Sequence, residues 1–117
     1  MLIATSAWAQ GSGVLTEKGI KGTGSAMAFL DMCELAGHAP AGITERYRES
    51  ARNGLARAYW DAVERQYRAS LQDRMFYLVS QDRWLPFDVE PEACQQITYV
   101  SETLIKNYDE LAELNKD

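Results

Sequence analysis

Apolar side chains recur along most of this chain with a helical step. Ile43, Tyr47, Ala51, Leu55, Tyr59, Val63, Tyr67, Leu71, Met75 and Val79 fall at every fourth position. A strict four-residue step drifts by about 40° per repeat, so one straight helix does not keep that stripe inside. Ala58, Ala62 and Leu78 supply the i+3 partners that correct the drift. Asn53-Gly54 and Ser70 are the weak points of the run. The pattern predicts one long bent helix or two, over 44–68 and 70–81, with Thr44 as the cap. The stretch 75–79 is the most β-like in the chain, but it continues the helical pattern, and no strand is predicted.

Two more helices flank this stretch. Over 25–36, Met27, Phe29, Leu30, Met32, Cys33 and Leu35 leave only Asp31 and Glu34 strongly polar. A helix apolar nearly all round belongs at the centre of a bundle. Ser25 or Thr23 is placed to cap it and Gly37 to stop it. The last helix is predicted from Pro91 or Glu92 to Leu114, with Pro91 suited to its first position and Glu90 and Glu92 to its positive end. Its buried face would use Cys94, Ile97, either Val100 or Ser101, Leu104, Ile105, Tyr108, Leu111 and, at its end, Leu114. Between the helices, residues 81–91 form a loop bounded by prolines and holding Trp84, Leu85 and Phe87. These large apolar groups either close the end of the bundle or meet another protein, since aromatics and arginine dominate binding hot spots. The expected fold class is all-α, a compact bundle of four to five helices over residues 25–117.

The start of the chain adds a compartment. Residues 1–9 are apolar and end in Ala7-Trp8-Ala9, the small-x-small pattern that precedes signal-peptidase cleavage. They read as a signal-peptide remnant, and the glycine-rich residues 10–24 as a flexible leader. Export makes the two cysteines, Cys33 and Cys94, a disulfide pair. Closing a loop of that length stabilises a chain by about 4 kcal/mol in the chain-entropy model. No segment approaches the roughly 20 apolar residues of a membrane span.

Charge and motifs then remove several function classes. The net charge of −5 lacks the basic excess that phosphate contacts require, so no nucleic-acid partner is expected. Residues 44–83 do hold eight arginines against six acids. Pairs such as Asp61–Arg65, Glu64–Arg68 and Glu45–Arg48 account for them as a solvated helix face. The single histidine, His38, sits just past a predicted helix end, where the dipole suits it, and has no nucleophile beside it in sequence. Two cysteines and one distant histidine make a poor metal set. Gly19-Ile-Lys-Gly22-Thr-Gly24-Ser25 lacks the Gly-Lys-Ser/Thr ending and the preceding strand of a phosphate loop. No catalytic residue, metal or cofactor is expected, and binding is the default class.

Two stretches carry a family resemblance. Gly24-Ser-Ala-Met-Ala-Phe-Leu-Asp-Met-Cys33 and the closing helix from Phe87 to Leu111, with Cys94-Gln-Gln-Ile and Tyr108-Asp-Glu-Leu111, resemble the Rap/Tai-like immunity proteins of type VI secretion systems. The resemblance implies a small periplasmic helical protein that protects a bacterium from its own peptidoglycan amidase. Its partner would be a secreted cysteine amidase. Arg83, Trp84 and Phe87 would form the recognition loop, with Asp82 and Asp88 placed to engage the amidase's Cys/His site. A homo-oligomer is compatible with this reading. A periplasmic acid-stress holdase, exposing apolar surface as its carboxylates protonate, is the alternative class.

Overall fold

The computed structural model describes residues 16–114. The signal-peptide remnant at 1–9 and the first part of the expected leader lie outside them. Four α-helices and one hairpin follow in order: α1 (Glu17–Leu35), α2 (Ile43–Gly54), α3 (Arg57–Asp73), β1 (Met75–Leu78), β2 (Arg83–Pro86) and α4 (Pro91–Leu114). No helix among the described residues is long and apolar enough to cross a membrane.

Helix α1 is longer than expected, and the glycine-rich stretch is part of it. Thr16 caps it by accepting the Gly19 N–H at 3.0 Å, so residues 17–24 are helical rather than a leader. The glycines there serve close packing. A methyl group on Gly24 would come within 2.8 Å of the Val63 carbonyl oxygen and 2.6 Å of the Gln66 Cβ, so α1 and α3 approach as closely as they do only without one. Residues 23–30 are all buried. Gly37, at φ +82°, ends the helix as expected, with its N–H donated to the Glu34 carbonyl and that of His38 to the Cys33 carbonyl.

The long central stripe resolves into α2 and α3, broken at Leu55 and Ala56, just past the predicted weak point at Asn53-Gly54. Ser70 is not a break; it is buried inside α3. Thr44 does not cap α2. That role falls to Glu34 of α1, whose carboxylate accepts the N–H groups of Gly42 (2.7 Å) and Thr44 (3.0 Å). The two middle helices are then clamped by Arg48, which donates to both Glu64 carboxylate oxygens at 2.7 and 2.8 Å and lies 4.8 Å from the centre of the Tyr67 ring. Two of the expected local ion pairs, Glu45–Arg48 and Glu64–Arg68, are formed. Of the arginine-rich middle, Arg48 is therefore structural, and Arg68 joins the same Glu64 carboxylate.

The all-α expectation is corrected at residues 75–86. Arg74, in the left-handed conformation at φ 58°, stops α3. The chain then turns to a strand period, with β1 antiparallel to β2 in the register Phe76↔Leu85 and Tyr77↔Trp84. Aromatic and branched residues satisfy a half-buried pleated surface as well as a helix, and here the hairpin covers α1. The Tyr77 N–H on the outer edge of β1 donates to Ser25 Oγ at 2.9 Å, and Phe29 packs against Phe76 and Phe87 with ring centres 5.4 and 5.3 Å apart. Ser25 thus joins helix to hairpin instead of capping.

Helix α4 follows the expected bounds and runs antiparallel to α1. Cys94 near its start is bonded to Cys33 near the end of α1, with Cα atoms 5.6 Å apart. Tyr108 near its end shares a hydrogen bond with Thr23 near the start of α1 at 2.8 Å. Tyr47 of α2 donates to the Thr23 carbonyl and meets the Tyr108 ring edge-on. Of the two alternatives for the buried face, Ser101 is inside and Val100 is outside.

Two outcomes are expected. The Cys33→Ala/Cys94→Ala double variant loses about 2–4 kcal/mol of unfolding free energy, read from urea titration, with its far-ultraviolet spectrum retained. Hydrogen bonds from Thr44 and from the Gly42 amide hold the Glu34 carboxyl below the usual carboxylate range. Because the folded state lowers this pKa, its contribution is present above the unfolded value and lost as pH falls through the folded one. The melting temperatures of wild type and Glu34→Gln therefore differ at pH 7 and converge as pH falls through the lowered folded-state value.

Candidate binding surface

The hairpin places the five predicted recognition residues in different settings. Its turn is a 3-10 segment, Val79–Gln81, closed by Asp82 in the left-handed conformation at φ 51°. Aspartate tolerates that region better than most residues. The Asp82 carboxylate is not free: it accepts the Tyr77 hydroxyl and pairs with Lys18 of α1 at 3.3 Å. The Tyr77 hydrogen bond first, and Lys18 next, hold the Asp82 carboxyl below the usual range, while the same bond pushes the Tyr77 hydroxyl up to about 12. Asp82 is thus an anchor between hairpin tip and α1.

Arg83 and Trp84 stand outward on β2. Trp84 is 38 % exposed and packs its ring on Tyr77, centre to centre 5.0 Å. Phe87 is half-buried, stacked on Phe29 within 8° of parallel, and packs against the core. Asp88 is exposed beyond the base of the hairpin. The predicted set therefore divides into an anchor (Asp82), a ring packed against the core (Phe87) and three accessible groups (Arg83, Trp84, Asp88).

Sequence reasoning missed the cavity beside them. A groove of about 650 Å³ lies between the hairpin and α4, floored by α1. The floor is made by Gly19, Gly22, Thr23 and Ala26, one face of α1 at helical spacing, with Phe29 at its far end. Small side chains leave the space open; a methyl group on Gly22 would reach the Val79 side chain. Leu85 and Pro86 form the hairpin wall; Ile97, Val100 and Leu104 form the α4 wall. The signal in the sequence was the recurrence of small residues at 19, 22, 23 and 26, a helical stripe hidden among leader-like glycines.

The arrangement can hold an apolar group. Among the described residues no group of three or more His, Cys, Asp or Glu is placed to hold a metal. No family model, curated protein or solved structure matches the chain.

Replacing Asp82 with Asn isolates the anchor. The Tyr77 hydroxyl should then titrate nearer its ordinary value of 10 than 12. Ring-labelled tyrosine resonances followed through alkaline pH report it. An unchanged Tyr77 would mean the carboxylate does not hold the hairpin tip.

Proposed function

We propose that this is a binding protein that acts on another protein outside the cytoplasm, and specifically an immunity protein that blocks a secreted peptidoglycan amidase in the periplasm. The observation that carries the reading is the presentation of Trp84. The ring stands part-exposed on a hairpin fixed at its tip by Asp82 to Lys18 and Tyr77, and at its base by Phe87 on Phe29. A part-exposed aromatic on a pre-ordered support loses little conformational entropy on binding and suits a hot spot. Arg83 beside it adds a charged donor. The disulfide supports an oxidising compartment, and the likeness of α1 and α4 to the Rap/Tai-like pattern supplies the identity of the partner.

An acid-stress holdase is favoured by one feature, the open apolar groove under the hairpin. Its trigger is less well supplied. Asp82, the carboxylate that latches the tip, has a lowered pKa, so the latch persists through mild acid.

Titration calorimetry against a secreted peptidoglycan cysteine amidase from the same organism tests the leading reading. Trp84→Ala is expected to weaken binding at least tenfold, the scale of a hot-spot residue, without altering the melt of the free protein by more than a few degrees. Binding that is indifferent to Trp84→Ala removes the hairpin from the interface.

A further inference from the structure

We propose that the groove between the hairpin and α4 receives an apolar segment of a partner polypeptide, about five residues long, that carries a basic residue at one end, seated over Asp88, Glu90 and Glu92. This rests on the reading of the protein as one that binds another polypeptide, and it names what the groove takes.

Length comes first. Lys18 lines one end of the groove and Phe29 the other, an eleven-residue step along α1. That step is about 16 Å of helix, which an extended chain of about five residues spans. The walls between are carbon-rich, from Ala26, Leu85, Ile97 and Val100, so the body of the occupant is apolar. Val100, on α4, is 46 % exposed and stands at the rim of the groove.

Charge decides which mouth takes the occupant's basic end. At the Lys18 end the cation is already matched by Asp82 at 3.3 Å, and Lys21 lies over the Tyr77 ring. The other end is different. Asp88, Ala93 and Gln96 line both the groove and an adjoining depression of about 700 Å³, which also holds Glu90 and Glu92. Among the described residues none of these three carboxylates forms an ion pair. The start of α4 offsets only about half a charge, so three carboxylates leave that mouth strongly negative. It attracts a cationic end and repels a fatty carboxylate or a phosphate. The occupant docks by its side chains and its basic end, since Pro86 in β2 cannot donate to an added strand.

Fluorescence polarisation with two labelled peptides tests this, Arg-Arg-Leu-Val-Leu-Val-Ser and Glu-Glu-Leu-Val-Leu-Val-Ser. The protein is expected to bind the first at least tenfold more tightly. Reversing the exposed acids together (Asp88→Lys, Glu90→Lys, Glu92→Lys) inverts that preference. Val100→Arg, at a solvent-facing position, abolishes binding of the first peptide while leaving the melt unchanged. No binding of either peptide, equal binding of both, or binding untouched by Val100→Arg overturns the proposal. Two other results also overturn it: uptake of dodecyltrimethylammonium but neither peptide assigns the groove to lipid-like amphiphiles, and a dimer that Val100→Arg dissociates assigns it to a second copy. If the amidase is still lost with Trp84→Ala in any of these cases, the groove fails and the immunity reading stands.

Discussion

The constraint on which this structure depends is the complete burial of the middle of α1. Residues 23–30 are all buried, bordering only the groove at Thr23, Ala26 and Phe29, so every neighbour is fixed by what that helix presents. Its apolar groups draw α3, α4 and the hairpin around it. Its two buried hydroxyls set their positions, because an unpaired buried hydroxyl costs about 1–3 kcal/mol. Thr23 satisfies this through Tyr108 of α4, and its carbonyl takes the Tyr47 hydroxyl of α2. Ser25 satisfies it through the backbone of β1. A helix of pure leucine would bury as much area without fixing which element lies on which side.

The disulfide acts on the same helix from its other end. Thr23–Tyr108 and Cys33–Cys94 fix α1 against α4 at two points, antiparallel, and the valley alongside that seam is the groove. The valley stays open because α1 turns glycine, threonine and alanine toward it. The same economy of side-chain size that lets α3 approach at Gly24 leaves space on the opposite flank. Packing and binding are thus two consequences of one small-residue helix.

Much of this was legible in the sequence. The cysteine pair, the stop at Gly37, the break after Asn53-Gly54 and the whole of α4 follow from local chemistry: an αL glycine, a proline at a first helical position, an i, i+3, i+4 stripe. What was not legible depended on tertiary partners. Gly19, Gly22 and Gly24 read as leader because glycine lowers helix propensity, and only the approach of α3 and of Val79 shows what the missing side chains allow. The hairpin read as helix because Tyr67, Leu71, Met75 and Val79 keep a four-residue step. That step also places Tyr77 between Phe76 and Leu78 in a two-residue alternation, and the Ser25 hydroxyl, fifty-two residues away in sequence, decides between them. In the recognition loop, Trp84 was recognisable as a large apolar group near solvent. Phe87 was indistinguishable from it until the Phe29 ring was in place.

A two-stranded ribbon leaves two open flanks, each able to recruit a neighbour's backbone and seed aggregates. Here one flank is stoppered by a serine hydroxyl from the central helix. The other ends in a proline, which has no hydrogen to give. The molecule can therefore hold an aromatic out into solvent on extended backbone while denying other copies of itself a strand to zip onto.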